Sequence, residues 1–218
     1  ATGMSEAGLF SMATVASLIC IPLAFLYGML ITRFGPRKIM ALSWFGGAVG
    51  LVITAYANNY VVYTIGRVLI ALASTGGITM AYNALVANWF PTKKDLVQGY
   101  ATIGSNLSTA FAVMIISALI AGLSLRGMFF VSAAVFLLLA IASLVGYKDN
   151  PEEADCYPDN DQSMTKEKVL ALLREGEEYQ KTSPWTVKKL LATRQTWQIS
   201  IGYGIILLIT VGILSTFV

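Results

Sequence analysis

Arg67 is the residue whose chemistry fits its surroundings least. It sits about seven residues into the apolar stretch 60–89, roughly 10 Å along a helix axis. A guanidinium at that depth costs about 3 kcal/mol or more unless it is paired or faces water. The apolar stretches contain no Asp or Glu, and Glu6 at the edge of the first is the nearest acid. The expected partner is therefore a substrate carboxylate, or an acid on a helix outside this sequence. The competing reading is that Arg67 snorkels to the headgroups, because a long side chain recovers part of its depth.

Polar side chains near it are candidates for a solute-lined cavity. They are Ser74, Thr79 and Asn83 in the same stretch, and Ser105, Asn106 and Ser108 in the next. An Asn in hydrocarbon needs hydrogen-bond partners, which a solute or a facing helix can supply. For a single Ser or Thr, bonding between helices is the simpler explanation. Gly46 and Gly50 stand at GxxxG spacing, which reads as close helix packing.

The elements that must carry these residues are six apolar runs, roughly 8–32, 38–57, 60–89, 97–122, 127–147 and 197–218. Each approaches the ~20 residues needed to cross a bilayer. Hydrophobic residues make up 56% of the chain and charged ones 12%, about half the soluble share. The sequence therefore predicts an all-α, polytopic membrane helix bundle.

Charge orients it. Thirteen of fifteen Lys and Arg residues fall on one side: Arg33, Arg37 and Lys38, then Lys93 and Lys94, then eight between 148 and 194. The opposite connections hold Asn58 and Asn59 in one case and Arg126 in the other. Basic loops face the cytoplasm, so the 148–196 segment is expected there and the protein in the cell membrane. The net charge of +3 is spread over these loops and forms no nucleic-acid stripe. Cys20 lies in a span and Cys156 in the long loop, so no disulfide is expected. No cofactor or metal site is expected. The chain has no His, no acid pair within a span and no Gly-rich phosphate loop, which argues against an enzyme.

The expected domains are five helices over 1–147, a connector over 148–196 and one further helix over 197–218. The connector runs acidic (Asp149, Glu152, Glu153, Asp155, Asp159, Asp161) and then basic. Within it Val169, Leu170, Leu172 and Leu173 form one stripe behind Thr165, predicting a short amphipathic helix. Ser183 and Pro184 suggest another helix start, with Trp185 and Trp197 at interfacial depth. The chain begins at Ala1 and its last apolar run stops at Val218 without a polar flank. The expectation is a fragment of a larger transporter, whose remaining helices would be its partners.

The stretch GMLITRFGPRK, Gly28 to Lys38, resembles the signature between helices two and three of the major facilitator superfamily. Gly28, Leu30, Arg33, Gly35, Arg37 and Lys38 carry the match, while the acidic position is Thr32. The resemblance implies that this loop latches the cytoplasmic gate, and that with Thr32 the latch lacks its anion. Gly66-Arg67 is similar to the arginine motif of the family's fourth helix, with Ala71 where a glycine is usual. The segment from Trp89 to Ala110 resembles the monocarboxylate and oxalate/formate-type branch through Trp89, Phe90, Pro91, Lys93, Lys94, Gly99 and Gly104. The mapping places this chain on helices two to seven. The Gly-Pro motif of drug antiporters has no counterpart, since 97–122 contains no proline.

The resemblance implies a secondary active or facilitative transporter. It would move a small organic anion, a mono- or dicarboxylate, by alternating access, with or without a coupling ion. Proton coupling would rest on Arg67 or on helices outside this sequence. Arg67, Ser74, Thr79, Asn83, Ser105 and Asn106 are the substrate or coupling candidates. Gly28, Arg33, Gly35, Arg37 and Lys38 form the gate motif. The alternative is a membrane signalling or scaffold protein that holds the 148–196 segment without moving a solute.

Overall fold

The structure, a computed structural model, describes residues 4–161, 163, 167–168, 170–171, 174–175, 178, 182, 189 and 192–216. The described residues form helices and turns without a strand. Residues 1–164 and 165–218 make two compact units.

In the first unit, α1 (Glu6–Phe34) starts where the Ser5 hydroxyl accepts from the Gly8 N–H. It ends at Gly35, whose φ of 85° only glycine adopts without strain. Pro36 opens α2 (Pro36–Ala55) at its first position, where a missing N–H is harmless. Asn59 caps α3 (Tyr60–Ala73) by accepting from Val62 N–H at 2.9 Å. The helix then widens into a π-helical segment, Ser74–Ala81, and continues as α4 (Tyr82–Trp89). The third apolar run is thus one span with a π insert, where the sequence suggested a uniform helix.

The fourth and fifth runs join in α5 (Lys94–Gly146). Its 53 residues would reach about 80 Å if straight, far more than one bilayer crossing. The break is a single residue: Ser124 leaves helical geometry at φ 72° and ψ 167°. Its hydroxyl then accepts from Gly127 N–H at 3.5 Å and starts the second half. Arg126, just beyond, lies 5.9 Å from the Tyr56 ring centroid. The break falls within the connection expected between residues 122 and 127, so the fourth and fifth runs are two helices that meet at Ser124.

The core lies where α2 meets α3, α4 and the second half of α5. Met40, Ala81 and Leu85 pack with Ile31, Trp44 and Trp89, and Ala48, Leu51 and Ala133 pack with Ile70, Phe129 and Phe136. Trp44 meets Phe136 edge to face at 4.9 Å. A side-chain carbon on Gly66 would stand 2.9 Å from the Gly50 carbonyl oxygen. These two backbones touch because neither residue carries a side chain. On Gly46 such a carbon would meet nothing within 4 Å, whereas on Gly47 it would meet Phe136 and Ala73. The packing pair expected at Gly46 and Gly50 is thus Gly47 and Gly50, because Gly46 points away from every neighbour.

Outward-facing positions remain apolar, with Leu18, Phe111, Met114 and Leu138 all exposed. Four of the described helical stretches are long and apolar enough to cross a membrane. The protein is an all-α, polytopic membrane bundle. Both cysteines are free thiols, Cys20 buried and Cys156 exposed.

The second unit contains α6 (Arg194–Thr216). Of the predicted amphipathic stripe, Leu170 is exposed, while Thr165, Val169, Leu172 and Leu173 lie outside the described residues. So do Ser183, Pro184 and Trp185.

Candidate functional site

Arg67 stands two turns before the π segment on α3 and is half-buried. Its Nε is buried with no hydrogen-bond partner among the described residues. A buried guanidinium nitrogen in that condition is under-satisfied, and an acceptor reaching it would gain a charge-assisted bond.

The π segment decides which polar residues share a face. Thr79 Oγ1 donates to the Ser74 carbonyl at 3.4 Å, a five-residue step that follows the wider π turn. Ser74, Thr79 and Asn83 are all exposed, while Ala73, Gly76, Gly77, Ala81 and Leu85 are buried on the opposite side. In a uniform α-helix, five residues would carry Thr79 well off the line of Ser74. With the insert, the three polar residues follow one stripe. Arg67 lies seven residues before Ser74, two α-helical turns, and so heads the same stripe.

The structure joins Asn83 to α5. Gln98 Nε2 donates to Asn83 Oδ1 at 3.3 Å. Gln98 was not legible as a site residue, since an isolated Gln near a helix start carries no pattern. Ser105 and Asn106 are exposed further along α5, and the Ser105 carbonyl accepts from Thr109 Oγ1 at 3.0 Å. Ser108 turns its hydroxyl back to the Gly104 carbonyl at 2.9 Å. That is local helix bonding, the simpler of the two explanations. Among the described residues no hydrogen bond joins Ser105 or Asn106 to Arg67. A separate groove of about 410 Å³ between α1 and α3 is lined by Met12, Ile19, Tyr60, Val61, Val68 and Leu69 among others. It is apolar and contains none of the predicted site residues.

At the end of the bundle where α1 turns into α2, the gate-motif residues divide in their roles. Gly35 makes the turn. Arg37 donates from Nη2 to the Leu144 carbonyl near the end of α5. Arg33 lies over the Phe34 ring at 5.4 Å, and Lys38 is exposed. Gly28 has open space where a side chain would stand. Thr32 is exposed and spends its hydroxyl on the Met29 carbonyl of its own helix at 2.8 Å.

The segment 148–161 docks on this end, and sequence reasoning did not foresee how. Asp149 Oδ1 accepts from Arg37 N–H at 2.8 Å, and the Asp149 carbonyl accepts from Asn88 Nδ2 at 3.0 Å. Trp89 Nε1 donates to the Lys148 carbonyl at 2.9 Å. Asp159, buried, accepts from Thr92 and Lys93 ahead of α5. The acidic run 149–161 was a visible signal, but nothing in its spacing says which two carboxylates turn inward. Among the described residues, no three His, Cys, Asp or Glu side chains are arranged to hold a metal ion.

Comparison with known proteins fits this architecture. Over 127 residues the chain is 30% identical to the nitrate/nitrite transporter NrtP of Picosynechococcus sp., covering 55% of this chain and 23% of that protein. It is 26% identical over 127 residues to the uncharacterized MFS-type transporter YhjX of Escherichia coli, covering 58% and 31%. It is 34% identical over 76 residues to solute carrier family 22 member 6-A of Xenopus laevis, covering 35% and 13%. The chain thus spans less than a third of the length of each of these relatives. No solved structure matches it. The sequence profile of the Major Facilitator Superfamily matches residues 1–218, and the chain belongs to that family.

Proposed function

We propose that the protein is a secondary active or facilitative transporter that carries a small organic anion, a mono- or dicarboxylate, by alternating access. The observation that carries the reading is Arg67: a half-buried cation with an unpartnered Nε, at the head of the polar stripe Ser74, Thr79 and Asn83. A carboxylate would supply the missing acceptor, and the stripe would supply hydroxyl and amide groups for its remaining oxygens. Ser105 and Asn106 would complete the lining from α5.

In this reading residues 1–147 form five helices of the first bundle, the family's helices two to six. Residues 148–196 form the cytoplasmic connector, and 197–218 begin the second bundle. The Gly28–Lys38 turn works at the cytoplasmic gate, and the two bundles rock about a site near the midplane. The likeness of Trp89–Ala110 to the monocarboxylate and oxalate/formate-type branch supports a carboxylate.

A specific observation favours a second reading, an inorganic oxyanion. NrtP is named for nitrate and nitrite, and both are planar or bent anions that a guanidinium also binds. Counterflow in liposomes holding the intact native protein separates the two. A labelled carboxylate that exchanges against a panel of carboxylates and resists nitrate supports the organic reading. Exchange inhibited by nitrate alone supports the oxyanion. Absence of saturable exchange with either class would favour the signalling or scaffold alternative.

A further inference from the structure

The loop between α1 and α2 has Thr32 at its expected acidic position, and Thr32 is bonded within its own helix. The geometry points to Asp149, beyond the far end of α5, as the residue that supplies the loop's negative charge. This rests on the reading of Gly28–Lys38 as a gate element.

The placement follows from what the start of α2 lacks. Gly35 is its N-cap and has no side chain to accept a hydrogen bond, and Pro36 at the first position has no N–H. The first free donor is therefore the Arg37 amide, at the positive end of the helix dipole. Asp149 Oδ1 takes that donor at 2.8 Å, doing from 112 residues away what an N-cap side chain does locally. The same carboxylate closes over Gly35: a side-chain carbon there would stand 2.7 Å from Asp149 Oδ2. Arg37 completes the contact by donating its guanidinium to the Leu144 carbonyl. One residue thus gives its amide to the segment after α5 and its side chain to the end of α5 itself.

Asp149 is a positioning residue, since it acts on the loop and touches no solute. The Asn88 amide and the Trp89 indole fix its backbone from the end of α4. The loop, α4 and α5 are therefore tied at one point by an anion that the loop itself does not carry.

The test uses the intact native protein in liposomes with two readouts, amide hydrogen exchange over residues 33–40 and counterflow of the transported anion. Asp149→Asn keeps an acceptor oxygen and removes the charge, while Asp149→Ala removes both. The expected result is that Asp149→Ala speeds exchange over 33–40 by about fivefold, the factor a lost cap is worth, that Asp149→Asn speeds it by about twofold through the lost charge at the helix N-terminus, and that both slow counterflow. Thr32→Asp introduced into the Asp149→Asn protein is expected to restore counterflow. If Asp149→Asn matches wild type in both readouts and only Asp149→Ala differs, the carboxylate is a neutral cap and the inference is overturned. Failure of Thr32→Asp to restore counterflow would also overturn it, because the charge would then not be interchangeable between the two positions. A wild-type protein without counterflow, but with exchange that responds to Asp149→Asn, would refute transport and leave the charge assignment standing.

Discussion

Asp159 Oδ2 accepts from both the backbone N–H of Thr92, at 3.2 Å, and its hydroxyl, at 2.7 Å. Oδ1 takes the Lys93 N–H at 3.2 Å, and the Lys93 ammonium donates to the Asp159 carbonyl at 3.3 Å. A buried carboxylate is tolerable only when its lone pairs are used in this way. The donors are amides at the approach to α5 that no residue of the Phe90–Lys93 turn caps with its side chain.

Asp159→Ala should therefore destabilise the first unit. It strands the Thr92 and Lys93 amides, and the expected loss is about 1–3 kcal/mol. Asp159 also sits at φ 57°, a conformation that Asn and Gly tolerate better than Ala. Asp159→Asn should accordingly lose less, and Asp159→Gly should isolate the carboxylate from the backbone strain. Thermal unfolding of the detergent-solubilised protein, followed by tryptophan fluorescence, ranks the three. An alanine variant melting with wild type would show that the carboxylate contributes nothing net.

The contact between α2 and α3 makes a second prediction. Gly66 lies against the Gly50 carbonyl and the Thr54 hydroxyl, and Thr54 Oγ1 already donates to that carbonyl at 2.7 Å. Gly66→Ala forces two helices apart over a well-packed core, at about 1–3 kcal/mol. Gly46→Ala meets open space and should be silent, or slightly stabilising through helix propensity. Melting temperature and the fraction eluting as a single species on size exclusion measure both.

The helices and their order were legible because runs of about twenty apolar residues have few other uses. The Asn59 cap and the Pro36 helix start are equally local, since their chemistry acts within a turn. What stayed hidden depended on geometry beyond a turn. Ser124 reads like any serine, although the break it makes falls within the connection expected between residues 122 and 127. Within the π insert Gly76 packs against Tyr27 and Gly77 against Ser43, contacts with distant elements that no local pattern marks. Asp149 and Asp159 lie in an acidic run that looks like a solvated face, yet Asp149 caps α2 and Asp159 holds the turn ahead of α5. Arg67 was visible because its cost in hydrocarbon is local and large.

Gly35 offers a third test, at the turn itself. Its φ of 85° is paired with ψ of 151°, a region open essentially to glycine alone. Gly35→Ala should cost about 1–3 kcal/mol in strain, and the new methyl would press on the Asp149 carboxylate. Gly28→Ala, seven residues earlier on α1, should be tolerated because nothing lies near it. The pair separates the two glycines of the same motif. Equal melting temperatures for both variants would show that the turn relaxes to accept a side chain.

Arg67 gives the most discriminating prediction, because stability and transport should move in opposite directions. Its Nε is buried and unpartnered among the described residues, so removing the guanidinium takes away a partly desolvated charge and breaks no hydrogen bond to a described residue. Arg67→Ala should leave the melting temperature unchanged or raise it, within about 1 kcal/mol after the lost packing of the aliphatic stem. Counterflow of the anion should fall at least tenfold, since about 1.4 kcal/mol of lost binding already suffices. Arg67→Lys keeps the charge and loses the planar fork, and should recover part of the rate. A large drop in stability with Arg67→Ala would mean that the side chain is paired to protein, and its place in solute binding would be lost. Unchanged stability with unchanged counterflow would instead assign it to snorkelling at the membrane surface.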